Sequence, residues 1–461
     1  MTYEEFLMSK QSTIKATGFD VNTQELNKLM FDYQKAVAKW CLKKGKSAVW
    51  SGCGTGKTLI ELEYGQQIYK KEKENILLVA PLAVAQQTAY QESKKFAYDV
   101  NYCRKQSEIK SGLNITNYEM IENFNPDKFG AVIIDESSIL KSYNGKYRTL
   151  FIDMFQNTPY KLSATATPSP NDYMELGNHS EFTGVMTRTE MLSTFFVHDG
   201  GDTGKWRLKG HAEDKFWEWI SNWAVVFDGP ADLGFPSDGF ELPELRIHEI
   251  MVEAERDEFY LIPKVANTLQ ERRQARKDSL EKRVKKAAEI ANNLDEQVII
   301  WCDMNDESKM LAKLINGSVE VKGPDKPEHK INTAMDFANG KIKAIVSKPS
   351  IFGWGMNWQN SCKSIFTGLS DSYEQWYQAV RRQWRYGQKK PVDVYIVISE
   401  EEGAVKANIE RKERDAENMK QEMIKHNRKI LATEINETQR ESIQYFPIEE
   451  MILPKWLRRT A

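Results

Sequence analysis

The sequence predicts an α/β protein made of two parallel-sheet lobes flanked by helices, with a helical insertion between them and a helical extension after the second. Three observations carry this expectation. Short apolar runs bounded by turn residues recur at 75–80, 131–135 and 161–164, and a second series recurs at 298–302, 343–347, 364–367 and 392–398. Strands covered on both faces by crossover helices leave this pattern. At 461 residues the chain also exceeds what one hydrophobic core organises. Finally, a glycine-rich turn, SGCGTGKT at 51–58, joins a strand-like SAVW to a helix-like LIELEYGQQIY.

Taken in order, residues 1–181 form the first expected lobe and 182–245 an aromatic-rich helical insertion or subdomain. Residues 246–295 form a charged helical connector, 296–400 the second lobe and 401–461 a C-terminal helical extension. The stretch 182–242 is rich in glycine, aspartate and tryptophan and shows no strand series of its own. Within it Phe216, Trp219, Ile220 and Trp223 fall at helical spacing, which predicts a packed face. Trp217, Lys205, Arg207 and Lys209 lie off that stripe and are the expected contacts for a partner. The connector, with QERRQARKDSLEKRVKK, predicts one or two long helices, read as a solvated face sooner than as a DNA-tracking surface. A charged, helix-favouring stretch runs from 400 to about 427, and YFPIEEMILPKWL near the end is expected to dock back onto a lobe.

Composition narrows the functional classes. Basic residues number 64 against 66 acidic, a net charge of −2, so any polyanion site must be a local basic face. The 5 cysteines are scattered without a CxxC pair and the 6 histidines are dispersed, which indicates neither a disulfide framework nor a zinc site. The first residues lack a secretory pattern, and no apolar run approaches the roughly 20 residues of a membrane span. A soluble cytoplasmic protein with no membrane partner is expected.

The turn at 51–58 carries the first piece of chemistry. Gly52, Gly54 and Gly56 let backbone amides curl toward phosphate oxygens at a helix N-terminus, with Thr55 between them. Lys57 would hold the β- and γ-phosphates of ATP, and Thr58 would ligate Mg2+. VIIDESS at 132–138 ends a buried strand with paired carboxylates. Asp135 is the expected metal partner and Glu136 the residue that polarises the attacking water. Far downstream, QAVRRQWRYGQ at 378–388 supplies Arg382 and Arg385. Arginines on a second lobe can stabilise charge on the transferred phosphoryl group, so ATP would close the lobes and hydrolysis would release them.

In this order the motifs resemble a superfamily 2 helicase-like ATPase, specifically of the Swi/Snf type, from about residue 30 to 400. The resemblance implies tandem RecA-like lobes. FDYQKAV is similar to the adenine-reading element, with Gln34 on the base edge and Phe31 or Tyr33 nearby. APLAVAQQ and TNYE resemble elements that touch a DNA backbone, placing Pro81, Thr116 and Asn117 on the track. LSATATP resembles the motif that couples ATP state to the track, through Thr165 and Thr167. FGWGMNWQ resembles motif V, with Gly355 near the nucleotide and Asn357 and Gln359 as polar handles. QAVRRQWRYGQ resembles motif VI, with Gln378, Arg382 and Arg385 at the family positions; Gln388 after Gly387 is as in Swi/Snf proteins.

One departure stands out: the acidic motif reads Asp-Glu-Ser-Ser, with Ser138 where better-known members place histidine or glutamine, so coupling to the track is expected to use other contacts. The chain resembles the minimal members carried by bacteriophages and prophages, which would place it in a bacterial host cytoplasm. Three functions follow. The first is an ATP-dependent translocase on double-stranded DNA, serving phage replication, recombination or remodelling. The second is a strand-separating DNA or RNA helicase, and the third an ATP-gated nucleic-acid clamp or adaptor. DNA is the expected partner, with duplex favoured over single strands; protein partners are not specified.

Overall fold

The computed structural model describes residues 16–199, 202–253, 269–353 and 356–434. In the first lobe, β1 (Lys46–Ser51), β2 (Asn75–Ala80), β3 (Val100–Tyr102), β4 (Leu113–Asn117), β5 (Phe129–Asp135) and β6 (Tyr160–Thr165) are followed by an antiparallel hairpin. The hairpin comprises β7 (Phe196–Asp199) and β8 (Asp202–Leu208), and β9 (Ala224–Phe227) returns to the sheet. The order is β3-β4-β2-β5-β6-β1-β9, parallel throughout. Every residue of β5 is buried, as its apolar sequence requires when helices cover both faces. Helices Asp32–Lys44 and Lys57–Glu72 pack one face through Val37, Ile60 and Tyr64, while Phe151, Phe155 and Phe182 cover part of the other.

The second lobe is a six-stranded parallel sheet. It contains β10 (Leu245–Val252), β11 (Val298–Cys302), β12 (Ser318–Val321), β13 (Ala344–Ser347), β14 (Lys363–Thr367) and β15 (Val392–Ser399), in the order β10-β15-β14-β11-β13-β12. The two parallel sheets with their helices are the tandem-lobe α/β architecture anticipated from the apolar runs.

Two segments differ from expectation. The insertion has strands of its own: β7 and β8 pair with each other, and β9 lies beside β1 in register Ala48↔Ala224 to Ser51↔Phe227. A four-residue run, AVVF, is too short to show a period, yet it extends the first sheet. Phe216, Trp219 and Ile220 form the packed face anticipated for helix Glu213–Ser221, and Trp223, in the turn after it, is buried with them. Trp217 is equally buried, 5.4 Å from Tyr173 between ring centroids, so it is core and not a partner contact. Lys209 donates to the carbonyls of Ser193 and Thr194 at 3.0 and 2.9 Å, closing the end of helix Arg188–Phe195. Arg207 is exposed, and the side chain of Lys205 lies outside the described part.

The connector, expected to be helical over 246–295, begins as β10, the edge strand of the second sheet, and only then forms helices Leu269–Asp278 and Leu280–Asn293; it is also not simply a solvated face. Arg283 is fully buried, donating from Nη1 to Glu307 Oε1 at 2.7 Å and to the Thr367 carbonyl at 2.9 Å. Arg276 pairs with Asp303 at 2.7 Å. These pairs and hydrogen bonds anchor the connector to the second lobe, offsetting the cost of burying its guanidinium groups. The last helix, Gly403–Glu434, leaves the second lobe and lays Met419, Met423 and Ile424 into the first-lobe cluster around Trp217 and Trp219. Residues 445–457, expected to dock, lie outside the described residues.

Candidate active site between the lobes

Strands β1, β5 and β6 are neighbours, so the loops at their carboxyl ends converge, where ligands bind in open parallel sheets. After β1 the backbone turns through Gly54 at φ +92° and Gly56 at φ +85°, a region costly for residues with a Cβ. A Cβ on Gly54 would also lie 3.0 Å from the Tyr386 amide nitrogen of the second lobe. Ser51, where the strict P-loop pattern has glycine, is used structurally. Its hydroxyl lies 2.8 Å from the Thr55 hydroxyl, which donates to the Gly52 carbonyl at 2.9 Å. Lys57 donates to the Ser51 and Gly52 carbonyls at 2.8 and 3.2 Å, poised above the loop at the start of helix Lys57–Glu72.

Gln34 is buried, and both ends of its amide bond within the protein. Its oxygen accepts from the Phe31 amide at 2.9 Å, and its nitrogen donates to the Thr55 carbonyl at 2.9 Å. Tyr33 donates to the same carbonyl at 2.7 Å. Both residues therefore brace the phosphate loop from behind. The aromatic wall on this side is Phe31, Phe240 and Tyr386, with Phe240 and Tyr386 stacked at 4.5 Å. Phe240 and Tyr386 were not singled out from sequence, since nothing local marks either.

Asp135 is the last residue of β5, and Glu136 turns out of the strand at φ +54°, a left-handed conformation costing about 1–3 kcal/mol in a non-glycine residue. The turn is held by the Glu136 amide donating to Asp135 Oδ1 at 2.8 Å and by the Tyr118 hydroxyl donating to the Asp135 carbonyl. Glu61, three residues beyond Thr58 on the same helix, brings a third buried carboxyl beside Asp135. It was missed from sequence, although its i, i+3 spacing from Thr58 puts both on one helix face. Burial raises Asp135, with Lys57 opposing. Burial, then the neighbouring Asp135, push Glu136 up to about 7 against Lys57 and Arg382.

The second lobe closes the site. Helix Tyr373–Val380, capped by the Ser372 hydroxyl, presents Gln378, whose amide nitrogen lies 3.5 Å from Glu136 Oε2. Arg382 donates to Gln378 Oε1 at 2.9 Å, to the Gln378 carbonyl at 2.9 Å and to the Met356 carbonyl at 3.0 Å. From the first lobe, the Thr165 hydroxyl donates to the same Glu136 Oε2 at 3.3 Å and accepts from the Thr167 amide at 3.1 Å. Arg385 differs from Arg382: its side chain is partly exposed, yet its Nε is buried with no partner in the protein. Burial and the adjacent Arg382 pull its guanidinium down to about 10.

Lys57, Thr58, Asp135, Glu136, Arg382 and Arg385 all line one cleft of about 700 Å³ that opens beside the aromatic wall. Its donor set fits a nucleoside triphosphate with Mg2+. The loop turned at Gly54 and Gly56, with Lys57 and the partly exposed Arg385 on the cleft wall, gives a basic lining that suits a polyanion. Thr58 and Asp135 line the same cleft, and a hydroxyl and a carboxylate placed there are the groups that would hold Mg2+ on a bound nucleotide.

The residues expected on the nucleic-acid track divide. Pro81 lines a second inter-lobe cleft of about 450 Å³, with Gln86, Tyr118, Lys141, Lys330 and Ile351. Thr116 is fully buried in β4 and cannot touch a track. Asn117 is buried too, accepting from the Tyr102 hydroxyl at 3.1 Å and donating to Glu119, so it braces its own loop. Thr165 is fully buried against Glu136, and Thr167 lines a third cavity of about 360 Å³ behind the phosphate loop. Asn357 and Gln359 line the cleft of about 700 Å³, and Gln359 donates to the Tyr386 carbonyl, holding the arginine loop. Gly355 lies outside the described residues. Among the described residues no helix is long and apolar enough to cross a membrane.

Residues 27–170 match the family described as type III restriction enzyme, res subunit. The protein p41 of Acyrthosiphon pisum secondary endosymbiont phage 1 is 27% identical over 174 residues, which cover 32% of this chain and 38% of that protein. Among solved structures, the SWI2/SNF2 ATPase core of Sulfolobus solfataricus in complex with dsDNA aligns at 18% identity with a TM-score of 0.42, covering 82% of this chain and 90% of that one.

Proposed function

We propose that this chain, a helicase-like ATPase of superfamily 2, is a Swi/Snf-type motor that hydrolyses ATP to move along double-stranded DNA. The observation that carries the proposal is the bonded path across the lobe junction, from Thr165 to Glu136, Gln378 and Arg382, ending beside an Arg385 whose Nε has no protein partner. A site divided in this way is complete only while the lobes are together, so the chemistry and the relative placement of the lobes become one event.

In this mechanism Lys57 leaves its loop carbonyls for the phosphates, and the amides between Gly52 and Thr58 receive the remaining charge. Mg2+, held by Thr58 and Asp135, would neutralise the phosphate oxygens. Glu136 orients water and takes its proton; its carboxyl, poised near neutrality, suits a base. Gln378 and Thr165 fix the carboxylate from opposite lobes, and Arg382 fixes Gln378. Arg385 is the donor left for charge that develops in the transition state. On the other side of the junction, Pro81, Gln86 and Lys330 line the cleft proposed for the DNA backbone. Contacts to phosphates would make binding salt-sensitive and weakly sequence-specific. The partial likeness to phage protein p41 supports a phage setting for this role.

Steady-state ATP hydrolysis with no nucleic acid, single-stranded DNA, blunt duplex DNA and RNA, with Glu136→Gln as the blank, tests the proposal. Strong stimulation by duplex alone is expected. Stimulation only by single strands or RNA would move the assignment to a strand-separating helicase, and a flat response would point to a clamp.

A further inference from the structure

The Asp-Glu-Ser-Ser turn lacks the histidine or glutamine of better-known members at Ser138, but a histidine reaches it from elsewhere in the chain. His179 sits in helix Leu176–Thr183, fully buried, with its ring 5.4 Å from Trp50 at the entrance to the phosphate loop. Its Nε2 lies 3.1 Å from the Pro168 carbonyl, on the loop after β6, and its Nδ1 lies 3.5 Å from the Ser137 hydroxyl. A carbonyl only accepts, so Nε2 carries the hydrogen and Nδ1 is left to accept from Ser137. Burial lowers the ring's pKa to about 4, which keeps it neutral with one donor and one acceptor.

The neighbouring Asn178 holds the far end of the same turn, donating to the Leu140 and Lys141 carbonyls at 2.8 and 3.0 Å. Lys141 in turn pairs with Glu374 of the second lobe. The left-handed Glu136 is therefore the start of a short turn tied at both ends to one helix. The tie at its catalytic end continues into the loop that begins with Thr165.

We propose that His179 is a positioning residue: its neutral imidazole locks the turn bearing Glu136 to the Pro168 loop, so the base stays aligned and moves with that loop. This rests on Glu136 as the base, as assigned above. His179 makes this linkage from a separate helix, while the Ser138 hydroxyl lies 3.4 Å from the Glu136 carbonyl within the turn.

The test compares kcat and the KM for ATP in His179→Leu, which removes both hydrogen bonds, and His179→Gln, which keeps a donor and an acceptor. We expect His179→Leu to lower kcat about tenfold with KM within about twofold, and His179→Gln to recover to within about threefold of wild type. Wild-type kcat in His179→Leu, or equal losses in the two variants, would overturn the proposal. Ser137→Ala removes the same tie from the other side with little change in packing, and serves if the leucine variant does not fold. It should lower kcat severalfold at unchanged KM, and an unchanged kcat would contradict the proposal. The readouts are made without nucleic acid as well as with duplex, so an enzyme indifferent to DNA refutes the motor assignment while leaving the His179 comparison intact. Normal turnover by Glu136→Gln would instead refute the base assignment.

Discussion

On one side of the lobe junction, Lys57, Asp135, Glu136, Gln378 and Arg382 are interlocked by hydrogen bonds or crowded charge, and all but Lys57 are buried. On the other, Pro81, Gln86, Lys330 and Ile351 line a cleft in which, among the described residues, no hydrogen bond joins these four to one another, while Glu136, Tyr118 and Lys141 border it from the interlocked side. On the function proposed above, the difference follows from what each side would recognise. A phosphoryl group in transit demands fixed donors at fixed points, whereas a polymer backbone that slides needs repeated, exchangeable contacts. The nucleotide side is accordingly built from short motifs at strand ends. The other side is built from side chains that share no spacing.

The comparison predicts that single changes act steeply on the first side and shallowly on the second. Glu136→Gln should cost on the order of a thousandfold in turnover while ATP still binds, measured by single-turnover hydrolysis beside nucleotide binding. Normal turnover would show that the interlocked side is not the catalytic one. With Glu136 raised to about 7, turnover should fall as pH drops through about 7, because the base is lost on protonation. A rate flat from pH 6 to pH 8, each about a unit from that midpoint, would remove Glu136 from the proton path.

Changes in the second cleft should be smaller. Lys330→Ala should weaken duplex binding a fewfold and reduce the slope of log affinity against log salt by about one, leaving ATP affinity as it was. Thr116→Val, at a fully buried site, should leave duplex affinity unchanged in the same titration. A larger effect from Thr116 than from Lys330 would reverse the assignment of the two clefts.

The same division explains what was legible before the fold was known. The sheets announced themselves because buried parallel strands are continuous apolar runs, and β11 falls at 298–302 as anticipated. β9 was invisible, since four residues beside a tryptophan-rich helix carry no period of their own. The glycine turn at 51–58 and the Asp-Glu turn, which the fold brings to one cleft, were legible as turns because each is a run of residues adjacent in sequence. Phe240, Glu61 and His179 were not, as each acts through a neighbour distant in the chain or one helical turn away. Motif resemblance placed Thr116 and Asn117 on the track, and burial removes both; a strand end is exposed or covered according to tertiary packing, which no local pattern records. The connector arginines mislead for a related reason: a run dense in charge reads as solvated until a partner such as Glu307 is brought beside Arg283.

The central claim is that the second lobe supplies the group that completes hydrolysis in the first. Single-turnover hydrolysis of bound ATP by Arg385→Ala, with ATP affinity measured on the same preparation, addresses it most directly. The account predicts wild-type affinity and a rate lower by on the order of a thousandfold. A wild-type rate would contradict it, and would mean that the lobes meet at this cleft without sharing its chemistry.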